Sequence, residues 1–75
     1  MNWRDHIVVD SSILHGTACF KGTRVPVTVV LDNLAAGVTE DELRAEYPTL
    51  PRDAVAAAIA YAAELAKERV LDLPA

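Results

Sequence analysis

The chain has 75 residues, 52% of them hydrophobic, and a formal net charge of −4. That length makes one small domain with a thin core, and the hydrophobic content excludes a disordered chain. The acidic balance gives no general attraction for nucleic-acid phosphates, so any such binding needs a local basic patch or a basic partner.

Met1-Asn2-Trp3-Arg4-Asp5 leads into polar and strand-like sequence rather than a long apolar stretch, so no signal peptide is expected. His6-Ile7-Val8-Val9 is β-prone and stops at the turn cluster Asp10-Ser11-Ser12. Gly16 and Thr17 precede a short apolar run, Ala18-Cys19-Phe20, which Lys21-Gly22-Thr23 breaks. Arg24-Val25-Pro26-Val27 is extended, because proline disfavours helix at the residue before it. Residues 6–27 are therefore two or three short strands and turns, which need helices or a second copy to pack against. In the turn, Gly22 suits a positive φ and Thr23 suits a backbone hydrogen bond. Arg24 can lay its stem on the core and reach a carboxylate such as Asp10 or Asp32, or one across a dimer; the alternative is a phosphate contact. The single Cys19 has no partner for an intrachain disulfide and fits a reducing cytoplasm.

Residues 28–69 are helical. Thr28 to Ala36 carries Val29, Val30, Leu31 and Leu34, with Pro26 and Val27 at its start and Gly37 at its end. Thr39 is the N-cap of the next helix, Glu42 completes a capping box, and Val38 can staple onto Leu43. That short helix stops before Pro48, and Thr49-Leu50-Pro51 opens a long one over 52–69. Helix, glycine turn, capped helix, proline turn, longer helix is the order of a three-helix helix-turn-helix unit, homeodomain-like, behind a short N-terminal β part. Residues 70–75 form an apolar, acidic tail.

The long helix is apolar on almost every side. Val55, Ile59, Ala62, Ala63 and Ala66 lie on one stripe; Ala54, Ala58, Tyr61 and Leu65 lie on a second; Asp53, Ala57, Ala60 and Glu64 lie on a third. A helix apolar all round is normally buried, and so short a chain cannot bury it unaided. Part of it is expected to meet another chain, most simply a second copy in a two-fold homodimer. The candidate interface residues are Val55, Ile59, Tyr61, Ala62, Leu65, Val70 and Leu71. The alanine tract is short and interrupted by Glu64, so a membrane span is not expected.

Nucleic-acid contact is the second candidate. The third helix of a helix-turn-helix enters the major groove by its N-terminal residues, here Thr49, Arg52 and Asp53. Arg44 on the second helix can touch the backbone, and Lys21, Thr23 and Arg24 in the β part add a further basic point; the alternative is that Arg44 and Arg52 pair with Glu40, Glu46 or Asp53 on a solvated face. Beyond Arg52 the outward positions are alanines and Glu64, which offer bases no donors. The acids Glu40, Asp41, Glu42 and Glu46 could face a basic nuclease, but acids at a helix start are also favoured by its dipole.

Catalysis is the weakest candidate. His6, His15 and Cys19 lack zinc-site spacing, Asp10-Ser11-Ser12 has no fixed histidine, and Lys21-Gly22-Thr23 lacks the upstream glycine of a phosphate loop. A non-enzymatic chain without cofactor, metal or small-molecule substrate is expected.

Cys19-Phe20-Lys21-Gly22-Thr23-Arg24-Val25-Pro26-Val27 resembles the hallmark of a small bacterial family, "domain of unknown function 433". Leu34-Ala35-Ala36-Gly37-Val38-Thr39, Glu42-Leu43, Tyr47-Pro48-Thr49-Leu50 and Ala57-Ala58-Ile59-Ala60-Tyr61-Ala62 follow in the family's order, so the likeness spans roughly residues 6–69. The resemblance implies a helix-turn-helix-like fold with a short β part. It also implies the antitoxin role in a bacterial toxin–antitoxin pair, whose usual toxin resembles the PIN-type metal-dependent ribonucleases. The competing expectations are a stand-alone helix-turn-helix transcriptional regulator and a structural subunit that tethers another protein.

Overall fold

The computed structural model describes residues 1–12 and 16–67. The chain opens with a single 3-10 turn, Trp3–Asp5, capped by the Asn2 side chain, which accepts from the Arg4 amide at 3.1 Å. Strand β1 (Ile7–Val8) pairs antiparallel with β2 (Cys19–Phe20), Ile7 opposite Phe20 and Val8 opposite Cys19. The returning segment takes the other side of β2: the Phe20 amide donates to Val25 O at 3.2 Å and the Val27 amide to Ala18 O at 2.9 Å. A strand of two residues persists because both its edges are bonded and both its side chains are fully buried.

The turn between β2 and that segment behaves as its residues dictate. Gly22 sits at φ +76°. The Thr23 hydroxyl donates to Phe20 O at 2.9 Å and accepts from the Val25 amide at 3.1 Å. Both bonds close the turn locally, which is the structural role its sequence suggests.

Helix α1 (Val27–Ala35) begins directly after Pro26, one residue before the expected start, and buries Val27 and Val30. It ends in a Schellman motif: the Gly37 amide donates to Leu34 O at 3.0 Å and the Val38 amide to Asn33 O at 3.0 Å, with Gly37 at φ +89°. Helix α2 (Glu40–Glu46) carries the full capping box, Glu42 N to Thr39 Oγ1 and Thr39 N to Glu42 Oε1, each at 3.2 Å. It stops at Tyr47, ahead of Pro48.

Helix α3 (Ala54–Lys67) starts two residues later than its apolar pattern suggests. At this start the Arg44 guanidinium donates to the carbonyls of Pro51, at 3.4 Å, and of Arg52, while Pro51 O also accepts from the Ala54 amide at 3.1 Å. Residues 68–69 of the expected helix and the tail 70–75 lie outside the described residues.

One core unites these elements. Ile7, Phe20, Val27, Val30, Leu43, Leu50, Ala54, Ala57 and Ala58 form a single buried cluster, with Val38 packed against it. Helix α3 rests on α1 and on the N-terminal turn, and α1 also meets α2. Three alanines, rather than larger residues, form the buried edge of α3, which brings its backbone close to α1. The protein is thus mainly helical: three helices with a small two-stranded sheet before them.

Candidate functional site

The surface of α3 divides into three strips. The inner strip holds Ala54, Ala57 and Ala58, all fully buried. A second strip lies under the N-terminal turn. The Trp3 ring meets Tyr61 edge-on with centroids 4.8 Å apart, and Trp3 Nε1 donates to Glu64 Oε2 at 3.2 Å. Arg4 Nη2 donates to Glu64 Oε1 at 3.0 Å while its Cζ lies 4.4 Å from the Trp3 ring centroid. These hydrogen bonds, that from Arg4 above all, hold the Glu64 carboxyl below the usual glutamate range. Tyr61, one of the expected interface residues, is therefore half-covered from within the chain. This pin of Trp3 and Arg4 on Glu64 escaped sequence reasoning, because a part-exposed carboxylate is satisfied equally by water and nothing in residues 1–5 marks its partners.

Among the described residues nothing covers the outer strip in this way. Ile59 on it is 54% exposed, and Leu65, off it, is 45% exposed. Ala56, Ala63 and Ala66 are exposed beside Ile59, and Val55 and Ala62 are half-buried at its margins. No charged residue falls on this strip from Val55 to Ala66. Leu65 shares the meridian of Ala54, Ala58 and Tyr61, and is exposed because it lies a turn beyond the packed part of the helix. Val70 and Leu71, also expected at an interface, lie outside the described residues.

The basic and hydroxyl residues separate into two groups. Thr23, Arg24 and Thr49 line one open groove of about 440 Å³ with Val8 and Gly22. Arg24 and Thr49 are exposed there, whereas the Thr23 hydroxyl is occupied by the turn. Arg24 reaches neither Asp10 nor Asp32; Asp10 instead accepts from the Ser12 amide at 2.8 Å and the Ser12 hydroxyl at 2.7 Å, which lower its pKa. Arg44 is engaged at the α2–α3 joint, with Nε and Nη2 on Glu40 Oε2 at 3.0 and 2.9 Å besides the two carbonyls. Lys21 and Arg52 are exposed, and among the described residues neither they nor Arg24 has a carboxylate partner. Of the acidic cluster, Glu42 serves the Thr39 cap and Glu40 serves Arg44, which leaves Asp41 and Glu46 to solvent.

Cys19 is fully buried, its thiol donating to Thr17 O at 3.3 Å, which suits a small core residue. His15 lies outside the described residues. Among the described residues no three histidine, cysteine or acidic side chains gather as metal ligands, and no helix is long and apolar enough to cross a membrane.

Comparison with known proteins agrees with the arrangement of strands and helices. The model of the family described as "Protein of unknown function (DUF433)" matches residues 7–62. The chain belongs to the DUF433 family. A crystal structure of a DUF433 member protein from Anabaena variabilis, at 2.00 Å resolution, superposes with a TM-score of 0.75 and 26% identity. The match covers 87% of this chain and 64% of that one, so this DUF433 chain spans less than two thirds of its structural relative. No curated protein matches. The DUF433 match takes in β1, β2, α1, α2, the groove and Ile59, whereas Trp3, Arg4 and Glu64 fall outside it. The pin thus joins two segments beyond the matched region.

Proposed function

We propose that this DUF433 chain is a non-enzymatic, cytoplasmic protein-binding domain: a homodimer that acts as the antitoxin of a type II pair by covering a PIN-like ribonuclease toxin. The observation that carries this reading is the outer strip of α3, where among the described residues nothing covers Ile59, which is 54% exposed. A water-exposed isoleucine on a charge-free strip gains from association. The family resemblance supplies the identity of the partner, and Asp41 and Glu46 add negative charge that suits a basic nuclease surface. The test is co-expression with the neighbouring reading frame. Growth rescue and co-purification, both weakened in Ile59→Gln, support the antitoxin; wild-type chain that neither rescues nor co-purifies contradicts it.

A second reading, a stand-alone transcriptional regulator, draws on the exposed Lys21, Arg24 and Arg52. Here α1, α2 and α3 form a homeodomain-like helix-turn-helix unit with α3 as recognition helix. Its joint is fixed by Arg44, which leaves Thr49 and Arg52 at the leading end for DNA. The strip that follows, Ala56, Ile59 and Ala63, has no hydrogen-bonding side chain, so DNA contact would be confined to that end and the Gly22 turn. Arg52→Ala should abolish a low-salt mobility shift with the chain's own promoter. Wild-type protein that shifts no promoter DNA, alone or with its partner, ends this reading.

A further inference from the structure

We propose that the groove between the Gly22 turn and Thr49 is a phosphate-binding site. Its lining combines one guanidinium, one unengaged hydroxyl and an apolar floor: Arg24, Thr49 and Val8. None of the described lining residues is acidic, on a chain whose net charge is −4. The Arg24 side chain has no carboxylate partner among the described residues. In the same segment the backbone amides of Gly22 and Arg24 donate to no acceptor among the described residues, while the Thr23 amide between them is held by Phe20 O at 3.0 Å.

These groups are donors, and no carboxylate is among the described residues that line the groove. A phosphate presents only acceptor oxygens, and a guanidinium meets two of them at once. The positive φ of Gly22 exposes main-chain amide at the turn without a side chain above it, as anion-binding turns do. Lys21 opens the same turn and adds a second exposed cation. A volume of about 440 Å³ accommodates a phosphate with its attached sugar, so the phosphate could come from a nucleic-acid backbone or from a free phosphate compound. The site depends on the DNA reading above only for that source.

Amide spectra of the full chain, titrated with inorganic phosphate against chloride at matched ionic strength, test the site. Gly22, Thr23, Arg24 and Thr49 should move saturably, and Arg24→Gln should weaken the response about tenfold. Thr49→Ala, an exposed change with no bond to lose inside the fold, should also weaken it. A short DNA duplex is the second probe. Binding at least about tenfold tighter than phosphate, with a log–log salt slope reduced by about 0.9 in Arg24→Gln, assigns the source to a nucleic-acid backbone. A response to phosphate with no tighter duplex binding keeps the site and removes the DNA reading. Signals unmoved by either probe, or moved equally in Arg24→Gln and Thr49→Ala, overturn the proposal.

Discussion

Replacing Ile59 by glutamine separates association from folding. Full burial of an isoleucine is worth about 1.5–3 kcal/mol. Ile59 keeps 54% of its surface in water, so a partner that covers it can still gain about 1–1.5 kcal/mol per copy. In a two-fold homodimer that buries both copies the loss is about 2–3 kcal/mol, or roughly 30- to 150-fold in the dimer constant. In a complex that buries one copy the loss is about 5- to 12-fold. The isolated fold should barely notice, within about 0.5 kcal/mol, because the side chain points out of the core and glutamine is a good helix former. Sedimentation equilibrium from tens to hundreds of micromolar gives the dimer constant, and thermal melts at low concentration give the fold. A wild-type chain that stays monomeric throughout that range, or an Ile59→Gln dimer within about twofold of wild type, would refute the reasoning.

Three further outcomes follow from the same contacts. Glu64 has its carboxyl pKa lowered by Arg4 and Trp3, so its contribution to stability is present above its ordinary value of 4.5 and lost as pH falls through the depressed folded value. Melts followed by the fluorescence of the single Trp3 should show Glu64→Gln less stable at neutral pH and less sensitive to acid, with Asp10 still titrating in both proteins; parallel acid limbs would contradict the pin. Arg44→Gln should destabilise by about 1–2 kcal/mol, since its guanidinium holds the carbonyls of Pro51 and Arg52 at the start of α3, while Arg52→Ala, whose own bond is through the main chain, should leave the melting temperature nearly unchanged. Gly22→Ala should cost about 1–2 kcal/mol from its left-handed backbone alone, as no atom lies within 4 Å of the added carbon, and Gly22→Asn should cost less in the same denaturant titration.

Features with a local cause were legible in the sequence. The Thr39–Glu42 capping box, the glycine end at Gly37, the extended Val25–Pro26 and the Gly22–Thr23 turn each depend on a few neighbouring residues, and all take the expected form. Features that depend on distant groups were not. The Trp3–Glu64 bond spans 61 positions, and nothing in periodicity announces which strip of an all-apolar helix will be covered from so far away. Arg44 pairs with Glu40, four positions back, as its helical spacing allows, but its further contact with the carbonyl of a residue eight positions on could not be read from spacing. Helix α3 begins only at Ala54, which hydrophobic spacing alone cannot register. For the candidate site, the stripe of Val55, Ile59, Ala62, Ala63 and Ala66 was visible as a unit, and the fold leaves most of it open to solvent. That Thr23, Arg24 and Thr49 share one groove required the tertiary arrangement, because 25 residues separate Arg24 from Thr49.

Methyl spectra of the full chain test the outer strip of α3 as a docking face most directly. Signals from Ile59, Ala63 and Val55 should shift or broaden as the chain is concentrated and again when its genomic partner is added, while Val30 and Leu43, buried in the core, stay in place. Outer-strip methyls that remain still under both conditions, while association is seen by mass, would place the contact elsewhere and contradict the account.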